Sequence, residues 1–291
     1  MDRLLPSALA PSTCNSYRCA WSKFASFAKR LKLSLIFPIP VKHLSCFICF
    51  LFNEGMAVSS VNTILSALSY FHKSNNFVDY IHSFAVKQLV MACQKVRPSA
   101  DSRLPISEGL LQRMFDIIPN LGLSKYDSTL FQAIFLLAFY FALRVGEFTD
   151  SRHNINRDQV VVTNHEITLK FLSYKHSANA ADTHYIKANY SRYCVVGALL
   201  RFLNLRGNGN GPLFSRNKKP ISKQVFSGIL KRVVSKLGLQ NANLKAHSFR
   251  IGAASHWAQK GFSEVQIRKM GRWHSNAMDR YIRGDVKHVA E

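Results

Sequence analysis

Three short segments of this chain carry side chains whose types and spacing could bind an anion and act on it. In the first, ALRVGE, Arg144 stands one helical turn before Glu147, so the carboxylate can orient the guanidinium toward a phosphate. In the second, His247 and Arg250 are three residues apart, and on a helix both can donate to the same bound anion. In the third, Tyr281 lies on a short predicted helix near the carboxyl end of the sequence. Taken singly, each segment also has an ordinary explanation: an ion pair at a helix end, a surface pair and a packing tyrosine.

The charge balance indicates what kind of anion this is. The chain has 39 lysines and arginines against 16 acidic residues, a formal net charge of +23. The excess is not confined to a tail, because residues 1–97 carry 11 basic and 3 acidic side chains and the remainder carries 28 and 13. A polyanion is therefore expected as partner, either nucleic acid or lipid head groups. The most apolar run, Leu130 to Leu143, is interrupted by Gln132 and has 14 residues, fewer than the roughly 20 that span a bilayer. We expect nucleic acid.

The six cysteines predict neither a disulfide framework nor a metal site. Most lie in apolar helical patterns, which favours a reducing intracellular compartment, and residues 1–16 lack the pattern of a secretion signal. His43, Cys46 and Cys49 share one face of a predicted helix, but no second pair of ligands lies near them in sequence. We expect these three side chains to pack in a buried core.

The elements that position the three segments are mostly helices. Helical periodicity predicts four or five short helices over residues 1–97, which form an all-α domain. Residues 98–107, rich in proline, serine and charge, form the predicted linker to a second domain, 108–291. Three short runs in that domain, rich in β-branched and aromatic residues, predict a small antiparallel sheet: Gln159–Thr163, Glu166–Leu172 and His184–Ala188. The expected fold class is mainly α with a small antiparallel β-sheet, an α+β fold.

Local signals place the candidate residues at the ends of helices. The apolar helix Ser128–Arg144 is predicted to stop at Gly146. Ser263 and Gln266 form a predicted capping box for a later helix, which Gly271 ends.

Together and in this order, the segments resemble the tyrosine recombinase (phage integrase) family. Its members carry an arginine in an A-L-R-x-G-E context, then H-x-x-R, then a glycine followed by His or Trp, and then a nucleophilic tyrosine. The separation from Gly271 to Tyr281, ten residues, matches the last part of that pattern. The resemblance covers residues 108–281, and the helical amino-terminal half looks like the family's core-binding, SAM-like domain. The G-R-W-x-S-x-A wording is closest to recombinases of eukaryotic mobile elements, of the Crypton and DIRS types.

The resemblance implies a reaction and a set of roles. The family breaks a DNA strand by attack of a tyrosine on a phosphate, which leaves a 3′-phosphotyrosine link, and it uses no metal or cofactor. That reaction needs a nucleophile, neutralisation of charge on the non-bridging oxygens, and a proton for the departing 5′ oxygen. The implied catalytic residues are Arg144, Lys175, His247, Arg250, Trp273 or His274, and Tyr281, with Glu147 supporting Arg144.

Two of these assignments have alternatives. The acid for the leaving oxygen is a lysine on a loop of the family's small sheet, and Lys175 is the first choice here, with Lys170 second. At the His/Trp position, Arg272 intervenes directly after the glycine, so Trp273 is preferred and His274 is the alternative. We expect Trp273 to pack on the tyrosine helix and to donate its indole N–H.

The implied partner is double-stranded DNA, bound by a homotetramer on two duplexes, with neither a membrane nor a small-molecule substrate. The mobile-element resemblance favours the nucleus, or the cytoplasm for a prokaryotic source. Two other functions use the same residues: a catalytically inactive DNA-binding protein derived from such an enzyme, and a type IB topoisomerase. An inactive protein forms no covalent link to DNA, and a topoisomerase relaxes plasmids that lack any special site.

Overall fold

The computed structural model describes residues 9–98, 101–172, 181–273 and 281–282, and it divides the chain into two units. Unit 1 is Met1–Asp101 and unit 2 is Ser102–Glu291. Each unit has a hydrophobic core of its own. The architecture is mainly α-helical with small antiparallel sheets, which confirms the predicted fold class.

In the described part of unit 1, all of the regular secondary structure is helical. Its α-helices are α1 (Pro11–Arg30), α2 (Val41–Asn53), α3 (Val58–Ser74) and α4 (Phe84–Val96). Aromatic side chains hold the first two together, since the ring of Phe47 lies 5.1 Å from that of Phe24 and 4.9 Å from that of Phe27. Such pairs add specific edge contacts to the burial of apolar surface.

The cysteines of α2 correct one sequence expectation. The buried face of α2 follows the helical period and consists of Leu44, Phe47, Ile48 and Leu51. Cys46 and Cys49 fall on the opposite face and are exposed, so the prediction that they pack in the core was wrong. Within the described ranges, no group of three or more His, Cys, Asp or Glu residues is placed to hold a metal ion.

Unit 2 combines helices with two small sheets. Its α-helices are α5 (Glu108–Ile117), α6 (Lys125–Tyr140), α7 (Val145–Phe148), α8 (Val195–Arg206), α9 (Lys223–Lys236), α10 (Ala246–Gln259) and α11 (Glu264–Gly271). Its strands are β1 (Val160–Val162), β2 (Glu166–Phe171), β3 (Asp182–Lys187), β4 (Ser215–Arg216) and β5 (Lys219–Pro220).

The apolar helix α6 forms the centre of this unit. Its side chains from Leu130 to Phe139, Gln132 apart, are buried on all sides, which explains why the sequence shows a continuous apolar run there instead of an amphipathic pattern. It packs against α8 and α10. In the parts of the chain that the structure covers, no helix has both the length and the hydropathy to cross a bilayer.

The predicted antiparallel sheet is present, in the order β1–β2–β3. Leu169 pairs with His184 and Phe171 with Asp182, so residues 172–181 connect the two longer strands. Alternate residues of β2 are buried, among them Ile167, Leu169 and Phe171, and these face the core. The second sheet, β4–β5, was not predicted.

Residues 104–107 belong to unit 2. The backbone N–H of Leu104 donates to the carbonyl of Asn243 at 3.2 Å, and Ile106 is fully buried. Gly252 of α10 permits this approach, because a Cβ at that position would lie 1.9 Å from the carbonyl oxygen of Ile106. The boundary between the two units, after Asp101, lies within the predicted linker, 98–107.

Candidate active site

A tight turn after α6 forms one side of the candidate site. Ala142 adopts a left-handed backbone conformation, with φ +45°, although it is not a glycine. Its carbonyl oxygen accepts a hydrogen bond from Nη1 of Arg250. Gly146 lies inside the short helix α7, so the prediction that it stops the preceding helix was wrong. Arg144 is the N-cap residue of α7.

Glu147 orients Arg144 from inside the protein. It is 1% exposed, and its Oε2 accepts the backbone N–H of Arg144 at 2.8 Å while its Oε1 lies 3.3 Å from Nη1 of the same arginine. Nη2 of Arg144 also donates to the backbone oxygen of Arg272 at 3.1 Å. The Arg144 side chain keeps 22% of its surface exposed, so the guanidinium is fixed where it can still meet a ligand.

The first turns of α10 supply Arg250 and His247. Arg250 is 1% exposed, and its Nη2 donates to the carbonyl of Gly271. Burial lowers the pKa of Arg250 well below its usual value, and the positive charges of Arg144 and Arg272 lower it further. A bound anion would counter the repulsion among these positive charges, so this guanidinium lies in a site that favours negative charge.

The turn after α11 brings Trp273 against the tyrosine. The indole ring lies so close to Gly271 that a Cβ on the glycine would lie 1.5 Å from a ring carbon, which explains why a glycine ends the helix. The ring of Trp273 lies 4.2 Å from the guanidinium carbon of Arg250 and 5.3 Å from the ring of Tyr281. Its Nε1 is buried and has no hydrogen-bond partner among the described residues.

Tyr281 is partly exposed and packs between two predicted site residues. Its ring lies 5.0 Å from the imidazole of His247 and 5.3 Å from Trp273. The hydroxyl of Ser255 donates to its backbone carbonyl at 3.2 Å, which ties the tyrosine segment to α10. The aromatic contacts hold the phenol ring beside the arginine cluster.

Sequence reasoning missed one residue of this cluster. Arg272 was taken as an interruption of the family pattern, but its side chain is fully buried and its Nη2 lies 2.8 Å from Oε2 of Glu147. Its guanidinium carbon lies 3.6 Å from the ring centroid of Phe171 at the end of β2. The available signal was its position directly after Gly271, where the family has a site residue.

Two predicted residues lie outside the described ranges, namely Lys175 and His274. Lys170, the alternative acid, is exposed on β2. Since successive side chains of a strand point to opposite faces, it lies on the face away from Phe171 and thus away from the arginine cluster. The structure therefore brings together Arg144, Glu147, His247, Arg250, Trp273 and Tyr281, and does not place Lys170 with them.

The assembled site suits a phosphate group. The guanidinium groups of Arg144 and Arg272 pair with the carboxylate of Glu147, and that of Arg250 lies close enough for the charges of all three to affect its pKa. The phenol ring of Tyr281 lies beside these arginines, 5.3 Å from the ring of Trp273. An oxyanion that gains charge during a reaction would be stabilised here by donors already in place.

Comparison with known proteins agrees with this chemistry. Residues 107–288 match the sequence profile of the Phage integrase family. No curated protein sequence matches the chain significantly.

The fold is similar to several solved recombinase structures. The site-specific recombinase XerH bound to palindromic difH substrate has a TM-score of 0.68 and 16% identity, covering 92% of this chain and 75% of XerH. A lambda integrase dimer bound to a COC' core site has a TM-score of 0.64 and 15% identity, covering 100% and 78%. The Tn1549 transposon integrase in complex with transposon right end DNA has a TM-score of 0.64 and 14% identity, covering 94% and 95%.

The finer resemblance to Crypton and DIRS recombinases stays a prediction.

The profile match covers more than half of the chain, and it includes the segments that carry the arginines and Tyr281. The chain belongs to the phage integrase family, the tyrosine recombinases.

Proposed function

We propose that this protein is a site-specific recombinase that cleaves and rejoins duplex DNA through a 3′-phosphotyrosine intermediate. One observation carries the proposal: Arg144, Arg250 and Tyr281 come from three distant parts of the sequence and meet in one contact network. A fold alone does not require this convergence, whereas transfer of a phosphoryl group to a phenol does.

In the proposed step, Oη of Tyr281 attacks the scissile phosphorus and the bond to the 5′ oxygen breaks. The products are a phosphodiester between Tyr281 and the 3′ end, and a free 5′-hydroxyl. The phenolic proton passes to His247 or to water, and the departing oxygen takes a proton from Lys175. Attack by a 5′-hydroxyl on the phosphotyrosine reverses each transfer and rejoins a strand without loss of bond energy.

Arg144 and Arg250 act on the phosphate in this scheme. Their guanidinium groups donate to the non-bridging oxygens, and these hydrogen bonds strengthen as charge accumulates in the transition state. The buried position of Arg250 supports this role, because a donor in a low-dielectric site contributes more than one in water. Trp273, with its buried indole N–H, is a further donor to the same phosphate.

The active assembly in this proposal is a homotetramer on two duplexes. Two duplexes contain four strands, and each strand needs one nucleophilic tyrosine if every strand is cut once. A tetramer thus supplies Tyr281 once for each strand. Measuring the mass of the complex trapped with cleaved DNA tests the number of protomers, and a complex of one protomer per duplex would contradict it.

Covalent capture tests the function without knowledge of the target site. A library of nicked duplexes with random sequence is incubated with the wild-type protein, denatured with detergent, and the protein-linked strands are sequenced. We expect an adduct with one preferred sequence, and a free 5′-hydroxyl on the released fragment. Tyr281→Phe, which removes only the nucleophilic oxygen, should give no adduct and bind duplex DNA with affinity within about twofold, since most phosphate contacts lie elsewhere. A wild-type protein that binds the library and forms no adduct would contradict the proposal.

A further inference from the structure

Arg272 is the one member of the arginine cluster to which the proposed reaction gives no part. Its side chain is fully buried, and its Nη2 is bonded to the carboxylate of Glu147, a residue that contacts no DNA in the proposed reaction. Arg272 is held flat against Phe171 at 3.6 Å, and its backbone lies in the left-handed region at φ +53°. A charged side chain in such a position needs a reason beyond packing, because burial of an arginine is costly unless its charge is used.

The contacts of Arg272 lead to Arg144 by two routes. Through its side chain, it donates from Nη2 to Oε2 of Glu147 at 2.8 Å, the same oxygen that accepts the backbone N–H of Arg144. Through its backbone, its carbonyl oxygen accepts Nη2 of Arg144 at 3.1 Å. Arg272 thus fixes both the carboxylate and the carbonyl that orient the Arg144 guanidinium.

The distances also show which arginine is the principal partner of Glu147. Nη2 of Arg272 is 2.8 Å from the carboxylate, whereas the nearest guanidinium nitrogen of Arg144 is 3.3 Å from it. When Arg144 turns its donors to a phosphate, Glu147 keeps the shorter of its two ion pairs. The buried carboxylate then remains neutralised, and Arg144 can respond to the phosphate without leaving an unpaired charge behind.

We infer that Arg272 is a positioning residue that holds Glu147, and through it Arg144, in the geometry that binds the scissile phosphate. This inference rests on the proposed function and adds a residue to it. Arg272 contributes to the rate of strand cleavage without touching DNA. Its effect therefore depends on the presence of Glu147, whereas a direct contact with the phosphate would not.

A double-mutant cycle tests this dependence. The variants are Arg272→Gln, Glu147→Gln and the pair together, and the rate of adduct formation is measured at saturating nicked DNA. We expect Arg272→Gln to cleave about 10²-fold more slowly, the effect of a misplaced reacting group. Its affinity for DNA should stay within about twofold, because most phosphate contacts of a DNA-binding protein lie away from the reacting phosphate. The double variant should cleave no more than about threefold more slowly than Glu147→Gln alone, since the two residues act as one unit.

The double variant also guards against misfolding. Two neutral amides replace the buried pair of Arg272 and Glu147, and Arg144, which loses the same carboxylate, keeps 22% of its side chain exposed to solvent. The unfolding midpoint of each variant identifies any that is not folded. Arg216→Gln is the matched control: it breaks an arginine–carboxylate pair of the same unit, with Asp127 at 2.9 and 3.0 Å, and should cleave at the wild-type rate.

Three results would overturn the inference. The first is a folded Arg272→Gln that cleaves as fast as the wild type. The second is a double variant whose loss is the product of the two single losses, which indicates that Arg272 acts independently of Glu147. The third is rescue of Arg272→Gln by DNA with sulfur in place of the 5′ bridging oxygen, because sulfur leaves without an acid and rescue would assign Arg272 to the leaving group. If the wild type itself forms no adduct, the proposed function fails instead.

Discussion

Arg250 shows at the residue scale how a side chain is prepared for an anion. Its N–H groups donate to the carbonyls of Ala142 and Gly271, which hold the guanidinium in place without neutralising its charge. Burial and the neighbouring charges of Arg144 and Arg272 lower its pKa. The folded protein therefore maintains an unfavourable concentration of positive charge at this point. Binding of a phosphate offsets that cost, so the same arrangement that destabilises the empty site favours the occupied one.

Trp273→Phe tests whether an indole N–H takes part in the reaction. Phenylalanine keeps an aromatic ring beside Arg250 and Tyr281 but removes Nε1, a buried donor with no partner in the described part of the chain. We expect cleavage at saturating DNA to slow by about 10²- to 10³-fold, as when a transition-state donor is lost. Single-turnover measurements on nicked DNA test this.

The control for this variant is Trp257→Phe, a change in the same apolar cluster. That variant should alter the unfolding midpoint more than the cleavage rate. If Trp273→Phe cleaves at the wild-type rate, the indole N–H contributes nothing and the ring serves only to pack.

At the scale of elements, the site depends on how closely α10 approaches residues 104–107. Gly252→Ala should destabilise unit 2, because the new Cβ would lie 1.9 Å from the carbonyl oxygen of Ile106. Since that atom belongs to the main chain, either α10 or the segment that contains Ile106 must shift to make room. Overpacking of this kind costs about 1–3 kcal/mol in the free energy of unfolding. Since α10 carries Arg250 and His247, we expect cleavage to slow as well. Denaturant unfolding followed by fluorescence measures the first effect.

Gly228→Ala in α9 is the matched control for that change. A Cβ there meets nothing within 4 Å, and alanine favours the helix by about 0.5–1 kcal/mol. The two substitutions are chemically identical, and they should change the free energy of unfolding in opposite directions. Equal effects would mean that the contact between Gly252 and Ile106 does not limit the packing.

The sheet that adjoins the arginine cluster makes stability depend on pH. Burial lowers the pKa of His184 in β3 below its usual value of 6.5, the charges of Arg272 and Lys269 lower it further, and the hydrogen bond to Asp182 opposes them. The folded protein therefore binds this proton at lower pH than the unfolded chain does. The stability that neutral His184 contributes is then fully present above about pH 6.5, and it is lost as the pH falls through the pKa of His184 in the folded protein.

We expect the temperature midpoint of unfolding to decrease as the pH is lowered from 7 to 5. His184→Gln should make this dependence of the midpoint on pH shallower. Gln keeps a donor for Asp182 and has no proton to gain. Part of the dependence should persist in the variant, because burial lowers the pKa of His256 in α10 too. Identical profiles for the two proteins would show that His184 does not contribute.

Much of this element order could be predicted from the sequence, because helices and paired strands leave local periodic signals. The helix cap formed by Ser263 and Gln266 and the three strands of the larger sheet were found in this way. The left-handed turn at Ala142 was not, since alanine gives no local sign of that conformation and the turn is fixed by contacts with Arg250 and Arg272. The same holds for the buried side chain of Arg272, whose partners are distant in sequence.

On the scale of the whole molecule, positive charge extends well beyond the site. Residues 1–97 carry a net charge of +8 and the rest of the chain carries +15. Positive charge in both parts of the chain favours a polyanion, and in the proposed reaction the arginine cluster acts on a single phosphate. We therefore expect two separable contributions: the distributed charge sets affinity, and the cluster sets the rate of cleavage.

This separation predicts how binding and cleavage respond to salt. Each phosphate neutralised by a lysine or arginine releases counterions, so a protein that contacts six to ten phosphates loses about 10³–10⁵ in affinity between 50 and 200 mM salt. We expect a loss in that range for duplex DNA of unrelated sequence, measured by fluorescence anisotropy over a series of KCl concentrations. Tyr281→Phe should give the same slope, because it changes no charge. The rate of adduct formation at saturating DNA should vary by less than about threefold over the same range, since buried charges are poorly screened. An affinity that hardly changes with salt would mean that the positive charge of the two units does not face DNA, and a cleavage rate that falls as steeply as affinity would mean that the cluster is open to solvent ions.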